Sequence, residues 1–224
     1  LARTLFPSSP KNTFLATQKS HRTSGCLSLI MNEHAQETRW IESEWLSTTG
    51  QQDVDEDDGG GFDRWFADPD PWETFQLDFE GGRSIVVKGH KAELGQTLHS
   101  TGLTIWRAAR ILSDWLVSNR RIVENKTVLE LGAGLGVCGL TAHCILGARY
   151  TVLSDGDTDT LANLRANVSH NTQQSETLQV RQLVWGDTAH VECIRRQLQQ
   201  TTKGETHFDV ILGSDIIYVD SVIE

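Results

Sequence analysis

One short stretch carries most of the structural information in this chain: Thr127-Val128-Leu129-Glu130-Leu131-Gly132-Ala133-Gly134-Leu135-Gly136. Its first half is a short, mostly apolar run typical of a buried strand, and its second half is a glycine-rich turn that opens a helix. A strand, a tight turn and a helix in this order are found where an open α/β sheet holds a nucleotide-like ligand.

The glycine spacing and one carboxylate separate two classes of ligand. The dinucleotide fingerprint G-x-G-x-x-G needs a third glycine where this chain has Val137, because that glycine allows close packing beneath a pyrophosphate. Glu130 precedes the first glycine, and its charge would repel a pyrophosphate but suits the cationic end of S-adenosylmethionine (SAM). The turn therefore favours SAM, although glycines also serve in any tight turn.

A second carboxylate supports the site without choosing the ligand. The apolar run at residues 150–153 is followed by Asp155, about twenty residues after the turn, where an acidic side chain can accept hydrogen bonds from ribose hydroxyls. Dinucleotide and SAM sites share this spacing, and an ordinary strand–helix junction remains the alternative.

Composition excludes several classes of function. The 224-residue chain has a formal net charge of −10, which argues against a protein that binds nucleic acid by neutralising phosphates. No apolar run approaches the ~20 residues that a membrane crossing needs. The four cysteines form no CxxC pair and the histidines are scattered, so no metal site is predicted. Reduced cysteines suit the cytoplasm.

The two ends of the chain raise separate questions. Residues 1–30 contain no Asp or Glu, and Met31 is the only methionine. Either a transit-like peptide is present, or Met31 is the true start. Since the chain stops at Glu224, soon after an apolar run, we expect a fragment.

Three regions are predicted along the chain. Residues 1–60 are expected to be a disordered or transit-like extension that ends in an acidic linker. Residues 61–101 are expected to contain a β-hairpin, because Gly81-Gly82 separates two short apolar runs, and a substrate-side segment. Residues 102–224 form the predicted SAM-binding core.

Strand and helix patterns alternate through this core, after a first helix predicted within residues 102–117. Strands are predicted at residues 127–131, 150–154, 178–184 and 208–213, and helices at 135–146, 157–170 and 188–200. The predicted inner face of the helix at 157–170 is an imperfect apolar set: Leu161, Leu164, Ala166 and Val168. Such alternation is typical of parallel strands joined by right-handed crossovers.

Acidic residues stand at all four predicted strand ends: Glu130, Asp155, Asp187 and Asp215. Because the carboxyl ends of parallel strands meet at one edge, we expect all four to rim a site for a cationic cofactor and substrate. Acidic residues at these positions are also common helix N-caps.

Four segments of the chain resemble the family 16 protein methyltransferases, which are seven-strand SAM enzymes that mostly methylate lysines of non-histone proteins. The segments are Thr101-Gly102-Leu103-Thr104-Ile105-Trp106-Arg107-Ala108-Ala109, the glycine turn with Glu130, Trp185-Gly186-Asp187, and the D-x-x-Y run Asp215-Ile216-Ile217-Tyr218. The likeness covers residues 72–224 and is strongest to the elongation-factor-2 lysine methyltransferase branch. Arg107 departs from the aspartate that many members have there.

The resemblance implies a Rossmann-like, seven-strand SAM methyltransferase fold of the α/β class, truncated at its C-terminus and preceded by a β-hairpin. It implies a cofactor pocket formed by Trp106, Glu130, Gly132, Gly134, Asp155 and Trp185. It also implies that Asp215 and Tyr218 are catalytic and shape the channel for the incoming amine. Without the family, a tryptophan on a helix is usually a core residue, and Asp215 with Tyr218 could cap and pack a helix start.

The expected function is therefore SAM-dependent methylation of a lysine in a protein substrate, such as a translation factor or a chaperone-type protein. Arginine, histidine and small-molecule amines remain alternative acceptors, and a non-catalytic scaffold is the alternative outside enzymes. The protein is expected to be a cytoplasmic monomer, or organellar if residues 1–30 are a transit peptide, with no nucleic-acid or membrane partner.

The expected truncation has a physical consequence. With only four of the usual seven strands, the run at residues 207–213 would leave an unpaired apolar strand edge, which is an aggregation hazard. We therefore expect this span to be marginally stable.

Overall fold

The computed structural model describes residues 70–91, 101–172 and 176–216, together with the backbone of three N-terminal strands. The strands are β1 (Thr13–Lys19), β2 (Cys26–Asn32), β3 (Arg39–Ser43), β4 (Trp72–Phe79), β5 (Arg83–His90), β6 (Thr127–Leu131), β7 (Tyr150–Asp155), β8 (Leu178–Gln182) and β9 (Val210–Ser214). The helices are α1 (Arg107–Ser118), α2 (Val137–Leu140), α3 (Thr158–Asn171) and α4 (Thr188–Thr201), with short 3₁₀ turns at Thr101–Leu103 and Arg120–Ile122.

A seven-stranded sheet of order β3-β2-β1-β9-β6-β7-β8 forms the centre of the described fold. Strands β9, β6, β7 and β8 are parallel to one another. Every residue of β6 is buried, as expected for a parallel strand covered on both faces. The α/β class with a parallel sheet is thus confirmed.

Two apolar clusters cover the two faces of this sheet. One cluster joins α1, α2 and α3 to the sheet through side chains such as Leu112, Leu140 and Leu161. The other joins α4 through Val191, Ile194 and Leu198. The layered arrangement places every connection from a strand to its following helix at the same edge of the sheet.

The predicted core strands are confirmed with small shifts in their bounds. β8 ends at Gln182 rather than at residue 184, so residues 183 and 184 lie outside the strand. The predicted helix at 135–146 is α2 followed by a π-helical turn at Thr141–Ile145. On α3, Ala166 is exposed and Asn167 is buried, so the predicted apolar inner face was wrong at this position.

The predicted hairpin is also confirmed. β4 and β5 pair antiparallel from Trp72–His90 to Phe79–Arg83. Gly81 and Gly82 have φ values of 79° and 70°, a left-handed conformation that glycine adopts without steric cost. Leu77, Ile85 and Val87 are buried in the cluster under α1 and α3, so the hairpin covers one side of the core.

The N-terminal strands differ from the sequence expectation. β1 pairs in parallel with β9, and β2 and β3 continue the sheet in antiparallel fashion. Parts of residues 1–60, predicted to be disordered, therefore form strands. The edge of β9 that was predicted to be open is paired, because its backbone N–H and C=O groups bond to β1 instead of remaining unpaired. The division of the chain at residues 60 and 101 stays a prediction.

Candidate active site

A cleft of about 570 Å³ lies at the carboxyl ends of β6, β7, β8 and β9. The loops that follow these four strands line it, and residues 101–109 contribute a further wall. Since ligands of open parallel sheets sit outside the carboxyl ends of the strands, the cleft is the candidate active site.

The glycine turn forms the floor of this cleft. Gly132 and Gly134 line it with φ values of 57° and 54°, which ordinary side chains rarely adopt. A Cβ atom at Gly132 would lie 2.9 Å from Ile216 Cγ2, and one at Gly134 would lie 3.1 Å from the carbonyl oxygen of Gly102. The backbone here approaches two other cleft walls so closely that only glycine fits.

Glu130 does not line the cleft. Its side chain is 1% exposed and its Oε2 accepts a hydrogen bond of 2.8 Å from the backbone N–H of Gly139. Burial raises the pKa of Glu130 to about 8, although the Gly139 N–H bond opposes this rise. The carboxyl therefore links β6 to α2, the helix after the turn, on the side away from the cleft. The sequence analysis predicted that it would lie at the rim of the cleft.

Asp155 lies in the cleft, at the end of β7. Its Oδ2 accepts a hydrogen bond of 3.0 Å from the backbone N–H of Gly134, and its Oδ1 accepts one of 3.1 Å from that of Asp157. Burial raises the pKa of Asp155, and these N–H bonds partly offset the rise. The carboxylate thus braces the glycine turn and has further acceptor capacity toward the cleft.

Trp106 and Trp185 lie in two different walls of the cleft, and both are half-buried. The indole Nε1–H of Trp106 donates to the carbonyl oxygen of Thr101 at 2.9 Å, which closes residues 101–106 into a compact wall. Val184, beside Trp185, is 44% exposed and is the one large apolar side chain that stands out as exposed among the described residues. The exposed side chain of Val184 can pack against a planar aromatic ring of a ligand.

Asp215 follows β9 and also lines the cleft. Its φ of 55° is left-handed, a strained conformation that aspartate tolerates better than most residues and that is enriched at functional sites. The next residue, Ile216, is buried against Gly132 and Gly213, which holds Asp215 in place. Tyr218 lies outside the described residues.

Asp187 takes the alternative role that was open for all four strand-end acids. It is the N-cap of α4, and its Oδ1 accepts hydrogen bonds from the backbone N–H groups of Ala189 and His190 at 2.8 and 3.2 Å. Those bonds lower the pKa of Asp187. The expectation that four acids rim the cleft was therefore wrong: Asp155 and Asp215 line it, and Asp187 does not.

Several lining residues had no assigned role in the sequence. They are mainly small or polar: Thr101, Gly102, Thr104, Gly156, Asp157, Thr160 and Ser214. A Cβ atom at Gly102 would lie 2.5 Å from the Thr160 hydroxyl oxygen, so the wall and α3 are in direct contact. The only sequence signal for this wall was the family-like segment at residues 101–109.

Metal ligation and membrane insertion have no structural support in the described part of the chain. No group of three or more His, Cys, Asp or Glu side chains there could hold a metal ion. None of the helices among those residues is both long and apolar enough to cross a membrane.

The cleft fits S-adenosylmethionine by the chemistry of its lining. A floor of exposed backbone that a Cβ atom would obstruct suits the methionine portion, and Asp155 is an acceptor for ribose hydroxyls. Val184 and Trp185 present apolar surface for the adenine. Glu130 is buried beneath the floor, and its role in cofactor binding stays a prediction.

A parallel α/β sheet with this glycine turn and an acid after the next strand is typical of proteins that bind a nucleotide-like cofactor. The model of the family described as lysine methyltransferase matches residues 92–224, which is more than half of the chain. The chain belongs to this family, and SAM is its cofactor.

Three curated relatives illustrate the similarity. The protein-lysine N-methyltransferase EFM3 of Chaetomium thermophilum is 34% identical over 125 residues, or 55% of this chain. The protein N-terminal and lysine N-methyltransferase EFM7 of Cryptococcus neoformans is 29% identical over 186 residues, or 77% of this chain. The human protein-lysine N-methyltransferase EEF2KMT is 33% identical over 134 residues, or 55% of this chain.

The matched regions are only part of each relative. They cover 36% of the Chaetomium protein, 59% of the Cryptococcus protein and 38% of the human protein. The chain thus spans between about a third and three fifths of the length of the relatives it matches.

Proposed function

We propose that this protein transfers a methyl group from SAM to a lysine side chain of a protein substrate. The observation that carries the proposal is the placement of Asp215, in a strained conformation, in the same cleft as the glycine turn and Asp155. The names of all three relatives, which include lysine N-methyltransferase activity, support the same acceptor.

The chain's own residues supply binding, orientation and exclusion of water. When bound, SAM supplies a methyl group on a sulfonium, which is already a good leaving group. The glycine turn and Asp155 hold the cofactor, and Trp106 and Trp185 exclude water from it. The acceptor amine must be neutral to react, although its ordinary pKa is about 10.4. Burial in the cleft lowers that pKa. Asp215 orients the amine by accepting a hydrogen bond from one of its N–H groups.

Two further parts of the proposal rest on the resemblance. Tyr218 is proposed to orient the lone pair of the amine. Arg107, the first residue of α1, is exposed and follows Trp106 of the cleft wall, where it is proposed to affect substrate contacts.

Cofactor binding is tested by calorimetry with S-adenosylhomocysteine (SAH) on matched glycine variants. Gly134→Ala places a Cβ atom 3.1 Å from Gly102 and pushes two cleft walls apart, so we expect affinity to fall at least about tenfold, or 1.4 kcal/mol. Gly147 has a similar left-handed φ of 77°, and a Cβ atom there would have nothing within 4 Å. Gly147→Ala carries the backbone strain of about 1–2 kcal/mol without contact with the cleft, and it should keep wild-type affinity. Equal affinities for the two variants would contradict the assigned site.

Methyl transfer is tested with radiolabelled SAM and proteins of a cell extract, followed by hydrolysis and identification of the labelled amino acid. We expect label in methyl-lysine, and we expect Asp215→Ala to abolish it while SAH affinity changes by less than about threefold. A parallel loss of binding would remove the role given to Asp215. Label in arginine, histidine or a small molecule would show that the acceptor is not lysine. SAH binding without any methyl transfer would favour a non-catalytic scaffold.

We also propose a substrate protein and a cellular location. A translation factor or a chaperone-type protein is the proposed substrate, and the strongly acidic chain is proposed to have no nucleic-acid partner. A monomeric state in the cytoplasm is proposed, with an organelle as the alternative if residues 1–30 are a transit peptide.

A further inference from the structure

Helix α3 bonds to the backbone of strand β5 through three asparagines spaced four residues apart: Asn163, Asn167 and Asn171. Residues at this spacing share one face of a helix. Asn171 Oδ1 accepts a hydrogen bond of 2.8 Å from the N–H of Val86, and its Nδ2 donates to the carbonyl oxygen of the same residue at 2.6 Å. The side-chain amides thus take the place of a neighbouring strand along the edge of β5.

Asn167 makes a further bond that reaches the cofactor cleft. Its Oδ1 accepts from the N–H of Lys88 at 2.8 Å, and its Nδ2 donates to the carbonyl oxygens of Lys88 and Leu135, both at 3.2 Å. The side chain is 2% exposed and both of its donor protons are used. Leu135 belongs to the glycine turn and lines the cleft. One buried amide therefore joins the hairpin directly to the floor of the site.

The end of the hairpin is also packed tightly against the cleft walls. A Cβ atom at Gly89 would lie 2.5 Å from Leu135 Cδ1 and 2.8 Å from the carbonyl oxygen of Leu103. The carbonyl oxygen of His90 accepts a hydrogen bond of 2.9 Å from the hydroxyl of Thr104. Because these contacts leave no free space, a shift of the glycine turn must be transmitted to the hairpin or break the contacts.

We propose that Asn167 is a positioning residue that couples occupation of the cofactor cleft to docking of the β4–β5 hairpin. This inference rests on the proposed cofactor site. A ligand that immobilises the backbone of Gly134 and Leu135 also fixes the carbonyl group to which Asn167 donates, and thereby favours the docked hairpin. By reciprocity, the docked hairpin raises the affinity for the cofactor. The hairpin is then held most firmly when the cofactor is in place.

The test is hydrogen–deuterium exchange of the full chain with and without saturating SAH, read by mass spectrometry on peptides that cover residues 83–90. In the wild type we expect SAH to slow exchange there about fivefold or more. SAH binding itself is measured in parallel by calorimetry, so the readout does not depend on activity.

Two asparagine variants separate coupling from simple docking. Asn167→Ala removes the bond to Leu135 together with bonds to Lys88, whereas Asn171→Ala removes only bonds to Val86 and within α3. Both should speed exchange of the hairpin without ligand. SAH should still protect residues 83–90 in Asn171→Ala and should no longer do so in Asn167→Ala.

Each outcome has a defined meaning. Bound SAH that leaves hairpin exchange unchanged in the wild type overturns the coupling and leaves the proposed function intact, and this holds even if Asn167→Ala does not fold. Persistence of the SAH effect in Asn167→Ala overturns the role of this residue. Failure of the wild type to bind SAH overturns both the coupling and the proposed function.

Discussion

Glu130 illustrates how a charge that looks suited to the cofactor can serve the fold instead. It was expected at the rim because it directly follows apolar residues and precedes Gly132. In the structure it points beneath the turn and binds the N–H of Gly139. Successive side chains of a strand point to opposite faces, and the face that Glu130 occupies is covered by α2.

The buried carboxyl gives a pH-dependent prediction. In the unfolded chain Glu130 loses its proton near pH 4.3, whereas the folded chain keeps it until about pH 8. Between these values the unfolded state binds fewer protons, so the free energy of unfolding falls as pH rises, by at most about 1.4 kcal/mol per pH unit. Glu130→Gln keeps an acceptor for Gly139 and removes the titration.

Urea unfolding of the wild type and of Glu130→Gln at pH 5, 6, 7 and 8 measures this effect as a difference, in which the titrating groups that do not interact with Glu130 cancel. We expect the variant to become more stable relative to the wild type as pH rises through this range. Parallel pH profiles would show that Glu130 is already ionised in the folded protein.

Helix α4 shows a similar case, in which an acid expected at the rim of the site caps a helix instead. Asp187 accepts hydrogen bonds from two backbone N–H groups of the first helical turn. These groups would otherwise have no partner within the helix. Sequence position alone does not separate this role from a place in the cleft, because an acid after a strand suits both.

Substitution of Asp187 distinguishes the two roles. Asp187→Ala removes the cap, and we expect Tm to fall by about 2–4 °C with SAH affinity unchanged. Asp187→Asn keeps a good capping side chain and should retain most of the wild-type Tm. Thermal unfolding gives Tm and calorimetry gives the SAH affinity of the same samples. Weaker SAH binding by Asp187→Ala would show that Asp187 belongs to the cofactor site.

The sheet and its helices are assembled around the cleft, so ligand binding should stabilise the described fold as a unit. The cleft draws residues from four strand ends and from the wall before α1. A ligand that contacts all of them binds the folded chain and not the unfolded one. Stability is then linked to ligand concentration by mass action.

At a concentration 100 times its Kd, SAH should raise the free energy of unfolding by about 2.7 kcal/mol and Tm by about 5–10 °C. Asp155→Ala, which removes a brace of the glycine turn and the proposed acceptor for ribose, should show a lower Tm without ligand and a much smaller SAH-induced rise. An equal rise in both proteins would place the ligand elsewhere.

Much of the fold and part of the site could be predicted from the sequence. The strand–turn–helix at residues 127–140, the alternation that follows it and the hairpin around Gly81-Gly82 all depend on local periodicity and on backbone conformations that glycine permits. These features are encoded within a few neighbouring residues. For the same reason, the local pattern is enough to predict that Asp155 and the two glycines of the turn line the cleft.

The remaining features depended on contacts between segments that are distant in sequence. Asn167 is buried, and Ala166 is exposed rather than on the inner face, because α3 faces the backbone of β5, which needs hydrogen bonds rather than apolar cover. The position of Glu130 beneath the turn and of Asp187 at a helix cap likewise follow from what lies opposite each side chain. Local sequence determines which elements form, whereas only tertiary packing decides which face of an element meets the ligand and which meets the core.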